Sequence, residues 1–368
     1  MQTAFVSSRI FTGSEMLTDN ALLVKDGEIV DVVSASAIPQ HYNTKFLGNC
    51  LIAPAFIDLQ IYGGNGKLFS TELTTESLQA TYEYCLNGGC SQFMITLATN
   101  SIEKFLKGID VVRQYWAEGG KGLLGLHLEG PYINPIKRGA HIERFIKKPT
   151  IDEVNMLLQK GKNVIKMMTI APEQCDDEIL DLLFKNKIVV SAGHSNATYQ
   201  EAMHGFRLGI PTATHLFNAM SPLQGREPGM VGAIYDSGAM SSVVCDGVHV
   251  DFASIRISKK LMKEKLFFIT DAVVEILHGE YQHVFKNDRY MLPDGTLSGS
   301  ALNMLQCVKN GVEKVGIELS EALRMASLYP AQVMKLNKKY GFLAEGAKAD
   351  FVVLDENLNL ERLIIDGE

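Results

Sequence analysis

Two hydrophobic rhythms divide this chain. Up to about residue 50 the apolar positions come in short alternating stretches, such as Ala21-Leu22-Leu23-Val24 and Glu28-Ile29-Val30-Asp31-Val32-Val33, and the Asp26-Gly27 pair between them is a hairpin turn signal. From Ile52 the pattern changes to unbroken apolar runs separated by amphipathic helical stretches, which is the signature of a parallel sheet with both faces covered. Eight strands are predicted: Phe56–Ile61, Gln92–Ala98, Leu123–Leu128, Val164–Ile170, Ile188–Ala192, Thr212–Leu216, Ser242–Cys245 and Leu266–Thr270. Helices are predicted near 75–87, 101–117, 151–160, 176–186, 198–208 and 252–264, with the weakest helical signal between strands six and seven; two more, near 301–316 and 320–328, follow strand eight. Eight strands close a barrel, so the expected fold class is α/β, a (β/α)8 TIM-like barrel rather than an open doubly wound sheet. The tail at 349–365 returns to β character. Residues 1–52 and 342–368 are therefore expected to form a small β-sandwich domain, with 53–341 as the barrel.

Composition narrows the functional classes. The chain has 368 residues, 46% hydrophobic and 21% charged, an ordinary globular profile that excludes disorder, collagen and coiled coil. Thirty-five Lys and Arg against 42 Asp and Glu leave a net charge of −7, so no global positive field exists to gather nucleic acid or anionic lipid. Any phosphate must be recognised locally. The amino terminus lacks a basic segment followed by an apolar one, and no apolar run reaches the roughly 18 residues a membrane helix needs, so a cytoplasmic protein is expected. The six cysteines show no CxxC pair and read as reduced packing residues.

Active sites of such barrels lie at the carboxyl ends of the strands, and polar residues concentrate there. Strand three runs into His127-Leu128-Glu129-Gly130-Pro131, strand five into Gly193-His194-Ser195, strand six into Thr214-His215-Leu216, strand seven into Asp246-Gly247-Val248-His249 and strand eight into Thr270-Asp271-Ala272. Glu129, His194 and His215 make an N/N/O set, the usual ligand form of a catalytic zinc site. Singly, a strand-end histidine is more often a hydrogen-bonded structural residue than a ligand, and Glu129 alone reads as a helix cap; their joint placement on three strands favours a metal. Asp271 is placed to take a proton from the attacking water and pass it to a leaving amine, or else to orient a ligand histidine. The loop after strand three brings His141 over the site, where an imidazole polarises a carbonyl. His127 shares the inward face of Glu129 and belongs deeper, while His41, His204, His278 and His283 read as surface or loop residues. Arg226, in Gly225-Arg226-Glu227-Pro228-Gly229, and His249 form a candidate anion handle, with a surface salt bridge as the alternative for Arg226.

Together, these segments with Gly193-His194-Ser195-Asn196-Ala197-Thr198, Thr214-His215-Leu216-Phe217-Asn218-Ala219-Met220 and Leu297-Ser298-Gly299-Ser300 resemble the N-acetylglucosamine-6-phosphate deacetylase family of the amidohydrolase superfamily, over practically the whole chain. The resemblance implies one divalent metal ion per subunit, zinc first among candidates, held by Glu129, His194 and His215, with Asp271 as catalytic base and acid and His141 assisting at the carbonyl. It implies substrate contacts from Ala140, His141, Asn218, Ala219, Arg226, His249 and the stretch Leu302, Asn303 and Met304. It also implies a homodimer in which Arg226 reaches the neighbouring active site, and a role in amino-sugar metabolism: deacetylation of N-acetylglucosamine 6-phosphate to glucosamine 6-phosphate and acetate. A deacetylase for another N-acetyl sugar phosphate, such as N-acetylgalactosamine 6-phosphate, and a non-catalytic barrel are the rival readings. Two departures stand out. Most of the superfamily carries His-x-His at the end of strand one, where this chain has Gln60 and Tyr62, and Val273-Val274-Glu275-Ile276-Leu277-His278 replaces a stretch of small residues after Asp271-Ala272.

Overall fold

The computed structural model describes residues 2–368. Eight parallel strands form one sheet in barrel order: Phe56–Ile61, Cys90–Ala98, Leu123–Glu129, Ile165–Ile170, Val189–Ala192, Thr212–Ala213, Met240–Val244 and Leu266–Ile269. The ring closes just beyond the carboxyl ends of its first and last strands. There the amide of Asp271 donates to the carbonyl of Gln60 at 2.9 Å, and the amide of Tyr62 donates to the carbonyl of Ala272 at 3.0 Å. The closing bonds therefore fix Gln60, Tyr62 and Asp271 as a group.

The helices between strands begin where the sequence supplies caps. Ser101 accepts from the amide of Lys104, Thr150 from that of Glu153, and Thr198 forms a reciprocal capping box with Glu201. The weakly signalled connection from strand six to strand seven holds a helix too, Gly229–Ser237, whose residues Gly229 to Ile234 are all buried. A helix without a polar stripe has no 3.6-residue period to read. Strands six and eight stop earlier than predicted because His215 (φ 38°) and Asp271 (φ 55°) adopt left-handed backbone, which ends extended pairing. The helix expected from 301 starts at Met304, since Ser300 still donates to the Asp271 carbonyl at 2.8 Å and Asn303 caps the helix through the amide of Gln306.

By contact the chain falls into two compact units, one made of the segments up to Asp58, Cys85–Gln92 and Asn303–Glu368, the other of Leu59–Tyr84 and Phe93–Leu302. The first carries a seven-stranded sheet drawn from both chain ends, with the Asp26-Gly27 hairpin as expected and Phe351–Leu354 antiparallel to Leu51–Pro54. Instead of the two separate sheets of a sandwich it is one hydrogen-bonded sheet. Strand Gln2–Phe11 pairs with Asn43–Phe46 near its start and with Leu51–Pro54 near its end, so one long strand joins what would otherwise be two layers. Its core packs Phe5, Ile10, Leu22, Ile52, Phe351 and Val353, with Phe5 edge-on to Phe351 at 5.0 Å. Truncating Phe351 to Ala is expected to cost about 3–5 kcal/mol, read as a lowered midpoint in urea unfolding.

Candidate active site

The site is built on a satisfied polar floor. His127, fully buried within the barrel, contacts the hydroxyl of Thr169 at 2.7 Å, Thr169 contacts Thr214 at 2.7 Å, and Thr214 contacts Ser191 at 2.5 Å. Burial lowers the pKa of His127 to about 4, so the ring is neutral and serves packing, below the chemistry. Above this floor Glu129 closes strand three, and His194, His215 and Asp271 each lie two residues past the end of strands five, six and eight. His194 (φ 47°) shares the left-handed backbone of the other two. That turn, costly for non-glycine residues, swings each side chain over the barrel mouth.

Three donor atoms converge. Glu129 Oε1 lies 3.1 Å from His215 Nε2 and 3.3 Å from His194 Nε2, and the two histidine nitrogens are 3.1 Å apart. Four ligands around an ion at bond lengths of about 2.0 Å have edges of roughly 3.3 Å, so these three atoms match one face of a metal-centred tetrahedron. His194 Nδ1 donates to the carbonyl of Lys137 at 2.9 Å, which leaves Nε2 as a bare lone pair facing the other two atoms. A carboxylate oxygen and two imidazole nitrogens at these distances have the spacing a bound cation needs. The residues therefore fit a divalent metal.

A second grouping, Glu129, His141 and His194, also has atoms close enough to share an ion. The hydrogen bonding of His141 argues against it as a ligand. The amide hydrogen of Thr99, fixed by its peptide plane, points at His141 Nδ1 at 3.2 Å, so Nδ1 accepts and the proton sits on Nε2, 3.1 Å from Glu129 Oε2. Burial and the neighbouring His194 lower His141 to about 4, which keeps it neutral with Nε2–H directed into the site. In this arrangement His141 presents a donor beside Glu129 and not a free lone pair.

The outer side of the two carboxylates is lined by donors as well. Gln60 Nε2 reaches Asp271 Oδ1 at 2.7 Å and Glu129 Oε1 at 3.0 Å, and the Tyr62 hydroxyl donates to Glu129 Oε2. Burial and the Glu129 charge push the Tyr62 phenol well above its ordinary value, so it stays protonated. Against its own burial, Glu129 is pulled well below the usual carboxylate range by His141 and His194 and is ionised. Burial, opposed by His215 and reinforced by Glu129, holds Asp271 above that range. None of the described residues bonds its Oδ2, which leaves that oxygen available as a base.

These groups share one cavity of about 250 Å³, whose wall includes Ala140, His141, Asn218, Ala219 and His249. Both ring nitrogens of His249 face acceptors, the Asp246 carboxylate at 2.6 Å and the Ser298 carbonyl at 2.5 Å, and a ring with two acceptors must carry both protons. Its pKa is accordingly raised, burial notwithstanding, by Asp246. Leu302, Asn303 and Met304 do not line the cavity: the Leu302 carbonyl holds the Tyr84 hydroxyl at 2.9 Å, Asn303 caps its helix, and Met304 is buried. Thr296, Leu297, Ser298 and Gly299 take that wall instead. Arg226 is exposed and forms no ion pair among the described residues. His283 corrects the reading of it as a surface residue: it is 4% exposed and lines the cavity, whereas His41, His204 and His278 are exposed. Nothing in its local sequence marks this, because its burial depends on Ser298 and Tyr281.

The family model for the amidohydrolase family matches residues 51–368, and that for the NagA composite domain matches residues 3–48. The chain belongs to the amidohydrolase family. An N-acetylglucosamine-6-phosphate deacetylase from Haemophilus influenzae is 33% identical, over 100% of this chain and 99% of that protein. An N-acetylgalactosamine-6-phosphate deacetylase from Escherichia coli is 29% identical, over 98% and 97%. The solved N-acetylglucosamine-6-phosphate deacetylase of Pasteurella multocida superposes with a TM-score of 0.96 at 31% identity, covering 100% of this chain and 99% of that one. As an amidohydrolase, this enzyme carries its candidate metal ligands where strand ends meet in the barrel. Two variants separate the possible ligand sets. His215→Ala is expected to lose most bound metal while His141→Ala retains it, measured as metal content per chain after desalting; the reverse pattern would make His141 the ligand.

Proposed function

We propose that this amidohydrolase hydrolyses the acetamide of N-acetylglucosamine 6-phosphate, giving acetate and glucosamine 6-phosphate. The observation that carries the reading is the single cavity in which Glu129, His194 and His215 converge with Asp271 and His141, while the cationic His249 lies on the same wall. Glu129, His194 and His215 would hold a divalent metal, which when bound would supply Lewis acidity at the acetamide carbonyl and acidify the attacking water; two imidazoles and a carboxylate suit zinc. His141 donates Nε2–H to the carbonyl oxygen as negative charge develops there. Asp271 takes the water's proton on its unbonded oxygen and delivers it to the departing nitrogen. Gln60, bonded to Asp271 Oδ1, holds that carboxylate in place.

Arg226 supplies orientation through the phosphate, and His249, whose two N–H groups are given to Asp246 and Ser298, adds its positive charge to that wall. Arg226 is exposed and without an ion pair among the described residues, which supports a role at the active site of a second copy and makes a homodimer part of the proposal. Ala140, Asn218 and Ala219 complete the substrate wall. The six free cysteines, and the lack among the described residues of any helix long and apolar enough to cross a membrane, support a cytoplasmic setting.

The deciding experiment is Asp271→Asn, which keeps the Gln60 contact but removes the base. It is expected to lower kcat at least about 1,000-fold with metal content unchanged, and activity near wild type would remove Asp271 from the mechanism. His249 gives a pH signature. Its pKa is raised, so its positive charge is complete well below the ordinary imidazole value and is lost as pH climbs through the raised one. KM for the phosphorylated substrate is expected to rise across that upper window in the wild type, and to be high and flat with pH in His249→Asn. Initial-rate series at several pH values check both. Arg226→Ala is expected to raise KM for the sugar phosphate with little change in kcat, and to leave turnover of unphosphorylated N-acetylglucosamine unaltered.

A further inference from the structure

His283 has no part in the chemistry above, yet its ring is buried in the wall of the reaction cavity. It comes from the segment between strand eight and the helix Met304–Asn310, where the small antiparallel pair Val284–Lys286 and Arg289–Met291 forms. Its backbone is fixed by reciprocal bonds with Ile276, at 2.8 and 3.0 Å. Its ring stacks on Tyr281 with centroids 6.3 Å apart and planes 15° from parallel, and the Tyr281 hydroxyl donates to the Thr99 carbonyl at 2.7 Å. Nδ1 is engaged by the Ser298 hydroxyl at 2.6 Å. The orientation of the imidazole is therefore determined on three sides, while Nε2 has no partner among the described residues.

Nε2 is not sealed in protein but opens to the cavity, and a fixed polar atom with no protein partner in a cavity wall is positioned to meet a ligand atom. Burial lowers His283 to about 4, so the ring is neutral at neutral pH, unlike His249, to which it is linked through Ser298. A neutral imidazole is a poor match for a phosphate dianion when a cationic ring lies one residue's width away. It is a good match for an alcohol: the Ser298 hydroxyl rotates to suit either tautomer, and a sugar hydroxyl both donates and accepts, so it pairs with Nε2 in either case. Val273, Val274, Ile276 and Tyr281 of this segment pack with Tyr62 and Leu68, and His283 lines the cavity wall beside that apolar cluster, with Thr296 and Ser298 further along the same segment.

We propose that His283 Nε2 hydrogen-bonds a ring hydroxyl of the bound sugar and so determines specificity in this chain. The inference rests on the sugar-phosphate reading of the site. Wild-type acetate release from N-acetylglucosamine 6-phosphate is the control, since its absence overturns the parent reading rather than the role of His283 within it. The test pairs enzyme variants with deoxy substrates. His283→Phe preserves the ring stacking and is expected to lower kcat/KM by about 10- to 100-fold, the range for a lost hydrogen bond that leaves its partner unmatched. Removing the 3- or the 4-hydroxyl from the substrate is expected to cost the wild type a similar factor, and for one of the two positions that cost disappears in His283→Phe. Two further variants separate contact from scaffolding. His283→Gln places an amide near the position of Nε2 and is expected to recover part of the loss, whereas His283→Asn keeps only the reach toward Ser298 and is not. Fully additive losses for both hydroxyls, equal behaviour of Gln and Asn, or a loss that vanishes with unphosphorylated substrate would each overturn the assignment.

Discussion

A carboxylate sealed in the mouth of the barrel has to be compensated, and much of the site follows from that requirement. Glu129 is 1% exposed and ionised. An isolated charge so deep is prohibitively costly, so its two oxygens must be surrounded by donors or cations. One oxygen faces His194, His215 and Gln60, the other His141 and Tyr62. The two sides differ: His194 and His215 turn their Nε2 atoms toward the first oxygen, which suits a metal there, whereas the second is taken up by His141 N–H and Tyr62 O–H. With Gln60 and Tyr62 in place of two imidazoles, the chain has donors where a second ion would need ligands.

The barrel supplies this arrangement through its closure and its strand ends. The backbone hydrogen bonds that join the first and last strands hold Gln60 beside Asp271, so the residue that bridges the two carboxylates sits at the seam of the fold. His194, His215 and Asp271 all leave their strands through left-handed backbone, which converts parallel strand ends into inward-pointing functional groups. The strain at these three positions is held by the packed strands beneath them. Stability and chemistry are thus separated along the barrel axis, with the floor of His127, Thr169, Thr214 and Ser191 between the packed core and the site.

The sequence revealed those features that depend on position within a strand. Unbroken apolar runs marked the eight strands, and Glu129, His194, His215 and Asp271 were visible as chemistry-bearing residues at their ends. Features that depend on a distant partner were not legible. The Nδ1 of His141 meets the amide of Thr99, just past strand two, and the burial of His283 depends on Ser298 and Tyr281. Whether the terminal strands form one sheet or two depends on how Gln2–Phe11 divides its edge between Asn43–Phe46 and Leu51–Pro54, a pairing that local alternation does not encode.

The central claim is that one metal ion, held by Glu129, His194 and His215, works with Asp271 to cleave an acetamide. It is tested most directly by acetate release from N-acetylglucosamine 6-phosphate, assayed before chelation, after chelation and after readdition of a divalent ion, with metal content read on the same samples. The account predicts release that disappears on chelation and returns as occupancy approaches about one ion per chain. Undiminished release from protein verified to be metal-free, or none from fully loaded protein, would contradict it.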